Sequence, residues 1–341
     1  MKKSLIGFIL LLVVALSLSA CGNNDTQAAG DKIQIVATTF PQYDWTKQIL
    51  GEHAENAELT LLLDNGVDLH SYQPTVDDIT KISGCDLFLY VGGESDTWVP
   101  DALKTAENKD MRVVNLLDTL GTAVKEEAIV EGMEHEHEGD EHDADHHDAD
   151  EHESDNHEGE EPETDEHVWL SLKNAQIICS AIAQELGSID PENAANYASN
   201  AEKYNAQLAK LYTEYKNTVD AAPYKTIVVA DRFPFRYLTD ELDLDYYAAF
   251  AGCSAETEAS FETVMFLAEK INELKLHTVI VTESSDKSIA KTVIKNTTAK
   301  NQQIAVLDSM QSVTASDVSG GTSYLSVMEN NLAVLHTALY E

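Results

Sequence analysis

The sequence predicts an α/β protein of two lobes, each a mainly parallel sheet flanked by helices, joined by one long rigid spine helix. Three observations point there. Short apolar runs recur in two sets of four, amphipathic stretches lie between them, and a polar, helix-favouring segment separates the sets.

In chain order, residues 1–20 read as a signal peptide. Lys2 and Lys3 precede an apolar run from Leu5 to Leu18, and small residues then lead into Cys21. The run is too short for a stable transmembrane helix. It looks like a bacterial lipoprotein signal, in which Cys21 becomes the lipidated first residue of the mature chain and anchors it at the extracytoplasmic face of the cell membrane. Residues 21–31 are small and polar and suit a flexible tether.

The N-terminal lobe is expected over 32–188, with strands at Ile33–Ala37, Leu59–Leu63, Leu87–Val91 and Val113–Leu116. Such short apolar runs suit strands buried on both faces of a parallel sheet. Phe40–Leu50 and Leu170–Leu186 carry a helical period, and Gly92-Gly93 reads as a simple turn. The linking helix is assigned to 189–221. Pro191–Ala221 has no internal proline or glycine and can form one stiff helix of roughly 40 Å. The C-terminal lobe follows over 222–341, with strands at Thr226–Val229, Tyr246–Ala249, Thr278–Thr282 and Ile304–Leu307. A helix is expected at Phe261–Leu274 and a second glycine turn at Gly320-Gly321.

One segment interrupts this order. Glu134–Glu166 holds seven histidines (His135, His137, His142, His146, His147, His152 and His157), eighteen carboxylates and no lysine or arginine. Its scattered apolar residues have no period and cannot bury a core, so a disordered, solvated loop is expected. Imidazoles interleaved with carboxylates suit accessory, exchanging sites for divalent metal.

The net charge is -38, and eighteen of the acids lie in that loop. Such a surface excludes nucleic acid and anionic lipid as partners and suits the attraction of cations. Beyond Cys21 the cysteines are Cys85, Cys179 and Cys253, an odd number that leaves at least one unpaired. Cys85 and Cys179 sit in apolar runs and read as buried free thiols. No HExxH spacing, nucleophile elbow, phosphate-binding glycine loop or dinucleotide fingerprint occurs, so no enzyme is expected.

Ligands of open α/β sheets bind outside the carboxyl ends of the strands. Four metal-ligating side chains stand near such positions: His70 in DLHSYQPT, His167 in DEHVWLSLKNA, Asp231 in KTIVVADRFPFRYL and Glu283 in HTVIVTESSDKS. Two come from each half, as a metal held between lobes requires. Each acid also has a plainer role open to it, as a helix N-cap. His53, His277 and His336 lie in helical or linking surroundings and read as structural.

Together with LYVGGESDTWV, RYLTDELDL, TESSDKSIAKTV and DSMQSVTASDVSGGTSYLSVMENNL, these stretches carry a resemblance. The chain resembles the metal-specific solute-binding lipoproteins of ABC importers, the zinc and manganese receptors built on a rigid helical spine. The resemblance implies a monomeric receptor that captures a divalent metal, Zn²⁺ above all, between the lobes and passes it to an ABC permease. It implies His70 and His167 as the first two ligands and Glu283 as the acidic fourth, with Asp286 as fallback. It also implies Tyr72 and Trp169 packed around the site.

The third position is ambiguous. Counting forward along the strand gives Asp231, and counting back from the aromatic-x-Tyr-Leu end gives Arg232. Arginine cannot ligate a cation, so Asp231 is chosen, with one extra residue in the following turn; a loop histidine is the other candidate. An acid there favours Mn²⁺ as the alternative cargo, whereas the loop's imidazoles favour Zn²⁺. A surface adhesin or metal buffer not coupled to transport would share the same fold.

Overall fold

The computed structural model describes residues 32–133, 163–254 and 258–341. Strands β1 (Ile33–Ala37), β2 (Ala57–Leu61), β3 (Leu87–Tyr90) and β4 (Arg112–Asn115) pair in the order β2-β1-β3-β4, all parallel. Strands β5 (Thr226–Phe233), β6 (Asp245–Ala251), β7 (Thr278–Val281) and β8 (Gln303–Val306) pair in the order β6-β5-β7-β8, again all parallel. The two lobes therefore share one topology, although the sequence shows no evident repeat. The central strands are buried on both faces, as Leu87-Phe88-Leu89 and Val279-Ile280-Val281 show.

Seven of the expected strands are found within two residues of their predicted bounds and β5 ends four residues late, and two differences are instructive. The Leu59–Leu63 run pairs two residues early, over 57–61. Leu62 and Leu63 still run beside β1, donating their amides to the carbonyls of Ala37 and Thr38. In the second lobe β5 is longer than expected and carries a bulge: Val229 pairs with Ala248, but Arg232 pairs with Phe250. One extra residue is thus absorbed at Ala230-Asp231, inside the strand rather than in the turn that follows it. A shift of one residue here is the same size as the disagreement between the two ways of counting to the third position.

The helices Phe40–Leu50 and Phe261–Leu274 have the predicted bounds. At the first, the Gln42 side chain accepts the Thr39 amide and Gly51 ends the helix. At the second, the Ser260 hydroxyl accepts the Thr263 amide and Lys275 adopts the left-handed conformation that stops it. The spine runs over Ala194–Ala221, 28 residues or about 42 Å. It starts later than Pro191 because Pro191–Asn193 forms a turn after the Leu172–Ile189 helix. Its buried stripe (Tyr197, Ala201, Tyr204, Leu208, Leu211, Tyr215 and Val219) recurs every three or four residues and packs on Leu172–Ile189 and Phe40–Leu50.

A second helix binds the lobes. Tyr324–Tyr340 packs on the spine and on the second sheet, yet its first residue docks on the first lobe. The Tyr324 amide donates to Asp44 at 3.0 Å, its ring meets Trp45 edge-on at 5.0 Å, and its hydroxyl donates to the Trp169 carbonyl at 2.6 Å. One apolar core consequently runs through both lobes, from Ile35 and Trp45 through Leu208 and Tyr215 to Val229 and Leu307. A smaller core lies between the second sheet and its outer helices. The lobes are set as one body, with the carboxyl ends of both sheets facing a common cleft.

Candidate metal centre

Each side chain at this cleft is aimed by a local device. After β2, Asp68 accepts the His70 amide at 3.0 Å and closes a short turn over Leu69–Ser71, which buries Leu69 and presents His70. After β3, one oxygen of Asp96 accepts the amides of Val91 and Gly92, both at 2.9 Å. Burial still outweighs those bonds and pushes the Asp96 carboxyl up to about 6. The same turn needs its glycines. Gly93 has a φ of +83°, and a Cβ there would stand 2.3 Å from an oxygen of Glu166. Gly92-Gly93 is therefore more than a simple turn, because it lets a buried carboxylate pass beneath the chain.

The turn also supplies Ser95. Its amide donates to Glu166 Oε1 at 2.9 Å, and its hydroxyl lies 2.9 Å from His70 Nδ1. The segment before His167 is equally constructed. Thr164 bridges to Glu126, the Asp165 amide donates to the Lys125 carbonyl, and the Tyr237 hydroxyl donates to the Asp165 carbonyl. Asp165 Oδ1 then accepts both the amide and Nδ1–H of His167 at 2.9 Å. Asp165, Glu166 and His167 are all but inaccessible.

This corrects the expected extent of the acidic loop. Residues 163–166 belong to the folded body: the Glu163 carbonyl accepts the Glu127 amide, and the Asp165 and Glu166 carboxylates accept backbone amides and imidazole. The loop histidines and Cys21 lie outside the described residues.

The two histidines meet: His70 Nε2 and His167 Nε2 are 3.2 Å apart, with ring centroids at 5.1 Å. Trp169 packs on His167 at 5.3 Å and donates its indole N–H to the Ser309 carbonyl. Tyr72, expected beside the site, instead donates to Asp78 and meets Trp98 edge-on at 6.1 Å. A third donor, not foreseen as a ligand, joins the pair. The ligand atoms of His70, His167 and Cys253 all lie within 4.8 Å of one another. The signal was present in FAGCS: Cys253 stands two residues past the end of β6, at the carboxyl end of the sheet.

The acids of the second lobe are placed differently. Asp231 lines the cleft, but its oxygens accept from the Thr282 amide at 3.2 Å, the Thr282 hydroxyl at 3.0 Å and the Arg232 amide at 2.9 Å. Arg232 crosses between lobes to Asp68 at 2.8 Å. Glu283 accepts from the amide and hydroxyl of Ser309, the Gln311 amide and the Ser312 hydroxyl, which ties β7 to the 309–312 segment. Asp286 is exposed on the rim and accepts the Ser288 amide at 2.7 Å. The structure thus brings together His70 and His167, keeps Asp231 at the wall of the same cleft, and directs Glu283 to the 309–312 amides. His53 and His336 pack on Tyr197 and Tyr340 respectively, and the His277 carbonyl accepts the Gln303 amide. The cleft holds about 530 Å³.

The surroundings act on the two rings in opposite directions. Burial and the neighbouring His167 imidazole push His70 down to about 4. Burial also opposes charge on His167, but the hydrogen bond and charge of Asp165, with Asp68 and Glu166 beyond, raise it overall. Asp165 can only accept, so the Nδ1 hydrogen of His167 is fixed and its Nε2 points at His70. With both Nε2 atoms bare, two lone pairs face each other and a shared cation relieves them; with a hydrogen on one, the same distance is an N–H···N hydrogen bond, so proton and metal compete for one place. Tetrahedral zinc with bonds of about 2.05 Å places two nitrogens about 3.3 Å apart, close to the spacing found. Glu166 Oε2 is buried without a hydrogen-bond partner, 3.6 Å from His70 Nδ1, and burial raises its pKa. Among the described residues, Cys85 and Cys179 are free and sealed in the core, and burial pushes the Cys253 thiol up.

Comparison with known proteins relates the whole chain to zinc-uptake components. The family model described as zinc-uptake complex component A, periplasmic (ZnuA), matches residues 35–338. The chain is 31% identical over 338 residues to the zinc-binding lipoprotein AdcA of Streptococcus pneumoniae, covering 98% of this chain but only 60% of that protein. It is 30% identical over 343 residues to the high-affinity zinc uptake system protein ZnuA of Bacillus subtilis, covering 99% of each. The Zn(II)-bound ZnuA-like domain of Streptococcus pneumoniae AdcA superposes with a TM-score of 0.66 at 26% identity, over 91% of this chain and 100% of that one.

Two outcomes are expected. Asp165→Asn removes the carboxylate that orients His167 and should weaken zinc binding about 10- to 100-fold in a competitive chelator titration. Unchanged affinity would mean that Asp165 does not set the imidazole. Asp96 has a folded pKa of about 6 against 3.8 for the free side chain. Between those values the folded chain holds a proton that the unfolded chain lacks, so stability gains from Asp96 as pH falls through 6 toward 4. Urea unfolding of the metal-free protein should therefore find Asp96→Asn favoured relative to the parent at pH 7.5, with the difference narrowing by pH 4. A constant difference would contradict the assignment.

Proposed function

The chain belongs to the ZnuA family of zinc-uptake components, and from that premise we propose that it is an extracytoplasmic receptor that captures Zn²⁺ between its lobes and delivers it to an ABC permease. The observation that carries this reading is the convergence of His70 and His167 at 3.2 Å, with the Nδ1 of each engaged so that both Nε2 atoms aim at one point. Imidazole nitrogen suits zinc better than manganese, whose preference is for carboxylate, carbonyl and water oxygen. The relatives named above are zinc-binding proteins, and AdcA is named a lipoprotein. Lipidation at Cys21 accordingly holds the receptor at the outer face of the membrane. No helix among the described residues is long and apolar enough to cross a membrane.

The chemistry required is capture and release rather than turnover, so the protein acts as a receptor and not as an enzyme. The histidine-rich segment 134–162 adds weaker, exchanging sites that raise the local concentration of zinc, while the interlobe centre holds one ion firmly. Protons compete for the same nitrogens, so acid releases the ion.

Elemental analysis with competitive titration of Zn²⁺ against Mn²⁺ tests this assignment. Deleting 134–162 is expected to lower the stoichiometry and leave one tight zinc site, and His70→Ala is expected to remove that tight site. Preference for manganese, or tight zinc binding that survives His70→Ala, would overturn the reading.

A further inference from the structure

We propose that Cys253 is the third ligand of the interlobe centre, bound as a thiolate, so that the metal is held by two imidazoles and one sulfur. This rests on the reading of His70 and His167 as metal ligands and names the donor that completes them.

The donors expected from the second lobe are otherwise engaged. The β5 bulge directs Arg232 to Asp68 and leaves Asp231 bonded to Thr282 and to the Arg232 amide. Glu283 is bound to the 309–312 segment. What remains beside the imidazoles is the end of β6. Gly252 lies against the His167 ring, where a Cβ would stand 3.1 Å from a ring carbon, so the strand end approaches as only glycine allows. The next residue is Cys253. Its amide donates to Glu127 at 2.7 Å, which fixes the backbone from the first lobe, and the residue lines the cleft.

The distances fit. The three ligand atoms lie within 4.8 Å of one another. Tetrahedral zinc with a Zn–S bond of about 2.3 Å and Zn–N bonds of about 2.05 Å sets sulfur about 3.6 Å from each nitrogen. An adjustment of about 1 Å closes the gap, within the reach of a cysteine χ1 change. The step balances as one thiol proton released to solvent for one Zn–S bond formed. A thiolate also decides the cargo. Sulfur selects zinc over manganese more strongly than a second carboxylate would, so the loss of a third imidazole does not make this a manganese site.

The test loads the full-length chain with Co²⁺ in place of zinc and reads the near-ultraviolet sulfur-to-cobalt charge-transfer band. The parent should show the band. Cys253→Ser should lose it while keeping visible cobalt absorption from the imidazoles. A band that survives Cys253→Ser, or a parent with no band whose cobalt binding His70→Ala abolishes, overturns the cysteine assignment and leaves the histidine site standing. Cobalt absorption unchanged by His70→Ala overturns the site itself. A second measurement needs no variant: zinc should protect Cys253 of the parent from a small alkylating reagent, read by peptide mass spectrometry. Equal labelling with and without zinc contradicts the proposal.

Discussion

Two imidazole nitrogens face each other across 3.2 Å at the junction of two lobes, and most of the surrounding structure exists to hold them there. The contact is unfavourable as two lone pairs and crowded as two N–H groups, so it takes one proton or one cation between the two nitrogens. Its geometry depends on groups that bind no metal. Asp165 fixes His167 through two hydrogen bonds, and Asp68 fixes the turn that carries His70. Ser95 meets the far side of the His70 ring while its amide rests on Glu166. Each of these supports is made by the protein's own groups and restrains the two rings from the side away from the cleft.

Preorganisation at that level requires a rigid frame. The spine of about 42 Å and the Tyr324–Tyr340 helix place residues of both lobes in one continuous core. The three contacts of Tyr324 with Asp44, Trp45 and Trp169 end beside His167, so the packing that joins the lobes also positions the site. Buried acids accompany this arrangement. Asp96 and Glu166 are both raised by burial and retained because they hold turns that no apolar residue could hold.

Much of this was legible from residue order. Short apolar runs located seven of the eight strands within two residues, and the 3.6 period located two helices to the residue, because those elements are buried where the pattern says. His70 and His167 were singled out through the resemblance carried by DLHSYQPT and DEHVWLSLKNA, since a lone histidine near a strand end does not by itself mark a ligand. Three features were hidden for separate reasons. The β5 bulge inserts a residue without disturbing the apolar run, so nothing in KTIVVADRF reveals that Ala230-Asp231 breaks the pairing. Asp165 and Glu166 share the composition of the acidic loop that precedes them, and only backbone amides distinguish a structural carboxylate from a solvated one. Cys253 was given no role among the three remaining cysteines, and its place past a strand end became informative only once β6 was set beside β5.

The central claim is that a single zinc ion sits between the two Nε2 atoms. Anomalous diffraction at the zinc edge from crystals of the zinc-loaded protein measures its position directly. One strong peak within about 2.0–2.1 Å of both His70 Nε2 and His167 Nε2 is the predicted result. A tightly held zinc located elsewhere, with the two imidazoles still in contact as in the metal-free chain, would contradict it.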